Sequence, residues 1–175
     1  GVTSYRALKN AGVHAGHRVA VIGVGGRGHL AVQIAKAFGA EVIALDLAEE
    51  KLAKARELGA DHAFDARAPE TPKAIRALGG AHVVVVTSAA RAVYDLALKC
   101  LRPAGTLSVV GLPPEPLSFG ALQLVGGEFR IVGSAVGTRE DLKATLALAA
   151  AGQLHCEHET QPLEAVNEVL ARLRA

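Results

Sequence analysis

The sequence predicts an α/β fold in three layers, with helices on both faces of a doubly wound, parallel sheet of six strands. Hydrophobic runs alternate with helical stretches along the whole chain, which is the pattern of repeated βα units. The run Val83–Val86 is apolar at every position, as expected of a strand that is covered on both faces. A glycine-rich turn directly follows the first hydrophobic run. We expect residues 1–175 to form one domain.

An opening helix and three strands with their intervening helices are predicted in the first part of the chain. The elements are helix Ser4–Ala11, strand Arg18–Gly23, helix Gly26–Phe38, strand Glu41–Asp46, helix Glu49–Leu58 and strand His62–Asp65. Gly39 follows the second helix, where glycine is the usual C-cap because it tolerates a left-handed backbone. The third helix begins with acidic residues and becomes more basic toward its end, which suits the helix dipole.

Prolines and glycines separate the elements that are predicted in the second part. These elements are helix Thr71–Leu78, strand Val83–Val86, helix Ala90–Leu101, strand Gly105–Val110, strand Phe129–Gly133, helix Arg139–Ala151 and helix Leu163–Arg174. Pro103 ends the fifth helix, because proline lacks the N–H that a helix interior requires. Thr87 and Ser88 end the central strand. The six strands match the number in a complete doubly wound nucleotide-binding sheet.

Composition narrows the classes of partner. The 19 basic and 17 acidic residues give a formal net charge of +2, so electrostatic attraction to nucleic acid or to a membrane is not expected. Aromatic residues make up only 3% of the chain, which argues against base stacking. The two cysteines are too few for a disulfide framework, and neither a signal sequence nor a long apolar span is present. We therefore expect a cytoplasmic location.

A dinucleotide-binding turn is indicated between the first strand and the second helix. Val19–Ile22 runs directly into Gly23-Val24-Gly25-Gly26-Arg27-Gly28. The first glycine permits a tight turn, the second lets backbone approach a pyrophosphate, and the third lets the helix lie close to the strand. The N-terminus of that helix presents N–H groups and its positive dipole end to the phosphates. This combination is typical of the Rossmann fold.

An acid, Asp46, ends the next hydrophobic run, at the distance of about 20 residues that separates the glycines from the ribose-binding carboxylate of this fold. A carboxylate there accepts hydrogen bonds from both ribose hydroxyls of NAD, and its charge opposes a 2′-phosphate. NAD is therefore favoured over NADP.

The loops that follow the strands are expected to converge on the ligand, because ligands of such sheets lie across the carboxyl ends of the strands. The loop tips are Gly23–Gly28, Asp46–Leu47, Thr87–Ser88, Val110–Leu112 and Gly133–Val136. Each also has a plain interpretation as turn chemistry. For Thr87 and Ser88 taken singly, the plain interpretation is as good as contact with the cofactor, and only their place on the fold favours contact.

At this level of detail the chain resembles the zinc-dependent medium-chain alcohol dehydrogenases over essentially its whole length, and specifically their coenzyme-binding domain. The stretches that carry the resemblance are Gly1–Leu8, Val19–Ala37, Asp46 with Lys51 and Ala55–Asp61, and Val132–Arg139. They are specific to the family and not to one substrate. The resemblance implies hydride transfer between a small alcohol or aldehyde and NAD, with this chain binding and orienting the coenzyme.

The resemblance also implies a role for each matching residue. Thr3 would lie near the nicotinamide. The pyrophosphate would contact Gly23, Gly25, Gly26 and Gly28, and the adenosine ribose would contact Asp46 and Lys51. Thr87 would border the adenine pocket. Backbone around Val110, Leu112, Ser134, Ala135 and Val136 would hold the carboxamide and so select the face of the nicotinamide that is presented.

Arg27 departs from the family, which usually has an apolar side chain at this position. Its guanidinium has forked donors that suit a pyrophosphate, and it therefore joins the predicted cofactor-binding residues. The alternative is that Arg27 extends into solvent from the first turn of the helix. The sequence does not decide between the two.

No catalytic residue and no zinc site are predicted in this chain. The resemblance implies that the zinc ligands belong to a preceding catalytic domain, so that the chain is a truncated domain that lacks that domain and the C-terminal return strands. We expect the chain alone to bind NADH without zinc and to oxidise no alcohol. Relatives commonly dimerise through this domain, and the edge Phe129–Ser134 therefore suggests a homodimer.

The remaining histidines and cysteines do not indicate a metal site. In an extended segment, His155 and Glu157 face one way while Cys156 and His158 face the other, which prevents a single four-ligand shell. His29 is the histidine nearest the phosphates, and packing of the helix is its favoured interpretation. Cys100 lies on a mostly apolar helix and is expected in the core.

Three other functions compete with a zinc-dependent dehydrogenase. A non-catalytic NAD-sensing module would share the turn and the acid. A methyltransferase also combines a glycine-rich turn with an acid on adenosine ribose, but the third glycine argues against it. Within the dehydrogenases, a zinc-free quinone reductase is the nearest competitor, and the run Gly25–His29 disfavours it.

Overall fold

The computed structural model describes residues 1–173, which contain one parallel sheet of six strands in the order β3-β2-β1-β4-β5-β6. The strands are β1 Arg18–Ile22, β2 Glu41–Asp46, β3 His62–Asp65, β4 Ala81–Val86, β5 Leu101–Val109 and β6 Arg130–Gly133. This is the doubly wound order, and the predicted fold class is confirmed. The chain winds outward from β1 to β3 and then crosses to β4 on the other side of β1. The strand order therefore reverses between β1 and β4, where a crevice opens.

The helices pack on both faces of the sheet. They are α1 Val2–Asn10, α2 Gly28–Ala37, α3 Glu49–Glu57, α4 Thr71–Ala77, α5 Ala92–Cys100, α6 Ala121–Gly127, α7 Arg139–Ala150 and α8 Val166–Arg172. None of the helices in residues 1–173 is both long enough and apolar enough to cross a bilayer.

Two apolar clusters form the core, one on each face of the sheet. Val19 and Val21 of β1 pack into the cluster that also holds buried residues of α1, α2 and α3. Ala20 and Ile22 pack into the cluster that holds residues of α4 and α5. Successive side chains of a strand point to opposite faces, so β1 is buried on both sides and fixed at the centre of the molecule.

Several boundaries differ from those that the sequence predicts. The second helix begins at Gly28 and not at Gly26, because Gly25 and Gly26 belong to the turn. The central strand begins two residues earlier, at Ala81. The last predicted helix begins as a single 3₁₀ turn, Leu163–Ala165, before α8. Its predicted end at Arg174 lies outside the described residues.

Two features near β5 were not predicted. β5 begins at Leu101, directly after α5, and passes through Pro103 and Ala104, whose φ is +59°. The fifth helix therefore ends at Cys100, before the proline that was expected to stop it. The helix α6 has no buried residue and is only 7 residues long, which is too short for a helical period to be recognised in the sequence.

A buried acid fastens α7 to α1. Asp141 is fully buried. Its carboxylate accepts hydrogen bonds from Lys9 Nζ at 2.8 Å and from Arg6 Nη1 at 3.1 Å. It also accepts from the backbone N–H of Thr138 at 2.9 Å, and thus completes a capping box at the start of α7. The Lys9 ammonium, followed by the Thr138 N–H, holds the pKa of Asp141 far below its usual range.

We expect Asp141→Asn to lower the melting temperature by several degrees at pH 7. The carboxylate contributes stability above the pKa of the unfolded chain, about 4, because its folded pKa is lower; this contribution is lost as the pH falls through the folded pKa. The difference between parent and variant should therefore be constant from pH 7 to 5 and should narrow below pH 4. Circular dichroism melts at these pH values measure it. Asp95→Asn is the control, because Asp95 is exposed and its distance to Arg91 is as long as 4.0 Å. This variant should change the melting temperature little.

Candidate functional site

A cleft of about 330 Å³ opens at the carboxyl ends of β1, β2 and β4, at the reversal of the strand order. Among the predicted site residues, those that line it are Gly23, Gly25, Gly26, Arg27, Asp46, Lys51 and Thr87. Ser88 lines it too, together with the apolar residues Ala90 and Val93, which were not predicted. The structure thus brings the glycine-rich turn and the acid of the second strand into one cavity.

The glycines of the turn serve different physical purposes. Gly23 has a φ of +91°, which side chains rarely adopt. A Cβ on Gly28 would lie 1.8 Å from the carbonyl oxygen of Gly23, so the third glycine allows α2 to approach the turn. A Cβ on Gly25 or on Gly26 would meet no protein atom within 4 Å. The backbone of these two residues therefore faces open space, and a ligand can approach it closely.

His29 is hydrogen-bonded to the glycine-rich turn. The carbonyl oxygen of Gly25 accepts hydrogen bonds from the backbone N–H of His29 and from its ring Nδ1, each at 3.0 Å. The backbone N–H of Glu157 donates to Nε2 of the same ring at 3.3 Å, so the ring proton is on Nδ1. Because the peptide is planar and trans, the N–H of Gly26 points away from the carbonyl of Gly25 and so away from the helix. The histidine that was expected only to pack the helix thus orients a peptide of the turn.

Asp46 joins the second strand to the turn. It is 8% exposed. One carboxylate oxygen accepts from the backbone N–H of Val24 at 2.7 Å, and the other accepts from the N–H groups of Leu47 at 2.8 Å and Ala48 at 3.2 Å. Lys51 Nζ lies 3.9 Å from the second oxygen. A carboxylate has about four acceptor positions, so Asp46 keeps capacity for a ligand hydroxyl.

Thr87 and Arg27 complete the rim of the cleft. The hydroxyl of Thr87 donates to the carbonyl of Gly23 at 2.6 Å, which ties the end of β4 to the turn. The guanidinium of Arg27 lies 3.4 Å from the carbonyl oxygen of Thr87. The side chain of Arg27 therefore lies beside the cleft and adds a positive charge to its wall.

The other predicted residues lie outside this cleft. Val110 is buried in the core and Leu112 is 81% exposed, both after β5. Ser134, Ala135 and Val136 follow β6, and the N–H of Ser134 donates to the carbonyl of Val109 at 3.0 Å. All of these residues lie at the carboxyl ends of the strands, as the cleft does, but further from β1. Thr3 lies on α1, and Gly28 lies beneath the turn.

Gly111 lies within the predicted loop tip Val110–Leu112 but was not among the individual residues predicted for the site. A Cβ on this residue would lie 1.9 Å from the carbonyl oxygen of Ser88, so the ends of β4 and β5 meet here at backbone distance. The buried hydroxyl of Tyr94 donates to the carbonyl of Gly111 at 2.7 Å. The available signal was a glycine directly after an apolar strand, which marks close backbone approach.

The segment 155–158 docks on α2 and α3. Gln33 donates to the carbonyl of His155 at 2.9 Å and accepts from its N–H at 2.7 Å. Glu157 pairs with Lys54 at 2.7 Å, and this hydrogen bond holds the pKa of Glu157 below its usual range. Within residues 1–173, no three histidine, cysteine or acidic side chains are grouped so that they could hold a metal ion.

Comparison with protein families places the sequence among dehydrogenases. Residues 26–151 match the model of a family described as zinc-binding dehydrogenase. An alcohol dehydrogenase of Geobacillus stearothermophilus is 43% identical over 174 residues, which cover 99% of this chain and 52% of that protein. One of Rhizobium meliloti is 40% identical, with coverage of 99% and 51%. The chain spans about half the length of the curated relatives that it matches.

Solved structures agree with these matches. The alcohol dehydrogenase of the archaeon Aeropyrum pernix superimposes with a TM-score of 0.90 at 37% identity, over 99% of this chain and 52% of that one. Acetophenone reductase of Geotrichum candidum, solved in complex with NAD, gives a TM-score of 0.88 at 32% identity, with coverage of 99% and 49%.

Proposed function

This chain belongs to the zinc-binding dehydrogenase family, as its sequence predicts, and we propose that its cleft binds and orients NAD(H) for an alcohol dehydrogenase. The family match and the relatives support a dehydrogenase over a non-catalytic NAD-sensing module. Nothing in residues 1–173 favours the alternative, a zinc-free quinone reductase. The observation on which the proposal depends is the open space over Gly25 and Gly26 beside an acid at the end of β2.

The pyrophosphate would lie over the turn. The N–H of Gly26 points away from α2, as derived above, and the positive end of the dipole of α2 lies next to it. Arg27 adds a full positive charge at the rim. Of the two alternatives for Arg27, its place beside the cleft supports pairing with the phosphates. Gly23 and Gly28 would keep the turn close to β1 and so form the floor of the site.

The adenosine ribose would lie over Asp46 and Lys51. One ribose hydroxyl would donate to the acceptor position that Asp46 keeps free, and the neighbouring Lys51 would donate to a ribose oxygen. The negative charge repels a 2′-phosphate, which selects NAD over NADP. Thr87 would border the adenine. Thr3 and the backbone at Val110, Leu112, Ser134, Ala135 and Val136 would hold the nicotinamide end, which extends along the edge of the sheet toward β5 and β6.

The rest of the reaction is proposed for the whole protein. Zinc, when it is held by a catalytic domain, supplies a Lewis acid for the alcohol oxygen. This chain's own residues would hold the coenzyme with one face of its nicotinamide toward a small alcohol or aldehyde. A homodimer through the exposed edge of β6 and a cytoplasmic location, which two free cysteines suit, are part of the proposal.

Calorimetric titration with NADH and NADPH tests the function and the role of Asp46 together. The parent chain should bind NADH more tightly than NADPH, without zinc, and should not bind S-adenosylmethionine. Asp46→Asn should reduce the ratio of the two dissociation constants about tenfold, because the charge that opposes the 2′-phosphate is removed; tenfold corresponds to about 1.4 kcal/mol. Asp46→Gly should narrow it too, with an added loss of stability because the N–H of Val24 loses its acceptor.

Asp61→Asn is the matched control. Like Asp46, Asp61 accepts from a backbone N–H, that of Val42 at 2.7 Å, but at the amino ends of the strands. This variant should lose some stability and keep the parent's coenzyme preference. Binding of S-adenosylmethionine in place of NADH would overturn the proposed function. An unchanged ratio in Asp46→Asn would remove Asp46 from its proposed role.

A further inference from the structure

A second cavity lies at the amino ends of the strands, near the start of β1, β4, β5 and β6. Its volume is about 370 Å³, which falls in the range of small-molecule sites. Its wall contains His14, His17, His82, Arg102 and Arg130. No aspartate or glutamate contributes to the wall. Its formal charge is therefore positive, and the cavity is chemically unlike the coenzyme cleft.

Three histidine rings lie side by side in this wall: those of His17 and His82 are stacked, and that of His14 is tilted by 43° to that of His17. The ring centres of His14 and His17 are 3.6 Å apart, and those of His17 and His82 are 4.6 Å apart. Nδ1 of His82 accepts from the backbone N–H of Arg18 at 2.9 Å, so the proton of the neutral ring is on Nε2. Nδ1 of His17 is buried and has no partner among residues 1–173. The three rings thus have unused hydrogen-bonding capacity.

The positive charge of the cavity comes from its arginines. Burial is the main cause that lowers the pKa of His17, and the neighbouring His14 and His82 rings lower it further. Burial is also the main cause that lowers the pKa of His82, with a further contribution from the charges of Arg102 and Arg18. Both rings are therefore neutral near pH 7. Arg18 is paired with Glu41 at 2.7 Å, whereas Arg102 and Arg130 form no ion pair within the described part of the chain. Two exposed arginines thus line the cavity without a carboxylate partner.

We propose that this cavity binds a small phosphorylated organic anion of about the size of a sugar phosphate. Two guanidinium forks match the geometry of phosphate oxygens, and Nε2–H of His82 is a further donor. Pro103 and Ala104 give apolar surface for the organic part. The site is separate from the coenzyme cleft, since the two lie at opposite ends of the strands, and it does not depend on the proposed function.

Titration with ribose 5-phosphate, followed by the ring signals of the histidines in nuclear magnetic resonance spectra, tests the proposal. The chain has 7 histidines. The ring signals of His14, His17 and His82 should shift until the site is saturated, while the ring signal of His29 should not shift. Ribose without phosphate should cause no shift. The double variant Arg102→Gln with Arg130→Gln should raise the dissociation constant at least tenfold.

Arg139→Gln is the control, because Arg139 is exposed on α7 and outside the cavity; it removes one like charge and should keep the parent's affinity. The ring signals locate the ester whether or not NADH binds, so the result is independent of the coenzyme site. Shifts confined to His29, beneath the glycine turn, would place the ester in the cleft and overturn the proposal. Equal affinity in the parent and the double variant would overturn it too, as would the lack of saturation.

Discussion

Replacing Gly28 with alanine is expected to destabilise the chain by about 3 kcal/mol, at the upper end for overpacked sites, and to abolish measurable NADH binding. The new Cβ would lie 1.8 Å from the carbonyl oxygen of Gly23 and 2.7 Å from its carbonyl carbon. Both are backbone atoms, so no side-chain rotation relieves the contact. Either α2 moves away from β1, or the turn opens and the hydroxyl of Thr87 loses its acceptor. Urea denaturation and an NADH titration measure the two effects.

Gly26→Ala is the matched control for stability, since it adds the same methyl group two residues earlier. A Cβ on Gly26 meets no protein atom within 4 Å. Its free energy of unfolding should stay within about 1 kcal/mol of the parent's, with any change toward higher stability, because alanine restricts the unfolded chain. A Gly28→Ala variant as stable as Gly26→Ala would show that the turn tolerates a larger separation from α2 than the structure indicates.

Replacing Gly25 with alanine is expected to separate binding from stability. The methyl group meets no protein atom within 4 Å, so the variant should fold and melt like the parent. It fills the space that the pyrophosphate would occupy, however, and should raise the dissociation constant for NADH at least tenfold, which is about 1.4 kcal/mol or more. Calorimetry and a thermal melt of the same sample measure both quantities.

Adenosine is the control ligand for this variant, because it carries the base and the ribose but no phosphate. Its affinity should be the same for Gly25→Ala and the parent, since Asp46 and Lys51 are unchanged. Equal NADH affinity in the two proteins would mean that the pyrophosphate does not approach the backbone at Gly25. Weaker binding of adenosine and NADH alike would indicate a general disturbance of the cleft.

The strand order and the position of the cleft were predictable because they depend on patterns that few folds share. Apolar runs at the spacing of βα units define a parallel sheet, and only one winding direction is common for such units. The turn after β1 was readable because glycines at fixed offsets meet specific steric requirements, as the φ of Gly23 and the closeness of Gly28 to Gly23 illustrate.

Contacts between distant parts of the chain were not predictable in the same way. The ring of His29 belongs to a regular helix, and its two hydrogen bonds depend on where residue 157 docks. The stacking of the His17 and His82 rings depends on the sheet bringing β4 next to β1. The helix α6 has only 7 residues, which are too few for a helical period to identify it. Patterns in a single sequence indicate local geometry and burial. The contacts of His29 and of the other histidines depend in addition on which distant segments the fold brings together.

The imidazole of His29 has a kinetic consequence for folding. Its ring links the carbonyl of Gly25 to the N–H of Glu157, which lies 128 positions beyond His29 in the chain. Contacts of such sequence separation form late, because closing the long loop costs entropy before the contact is gained. On a ribosome, the early βα units emerge first, but the ring becomes fully hydrogen-bonded only after residue 157 has been synthesised. The hydrogen bonds that fix the glycine-rich turn are therefore completed only when the chain has been synthesised past residue 157.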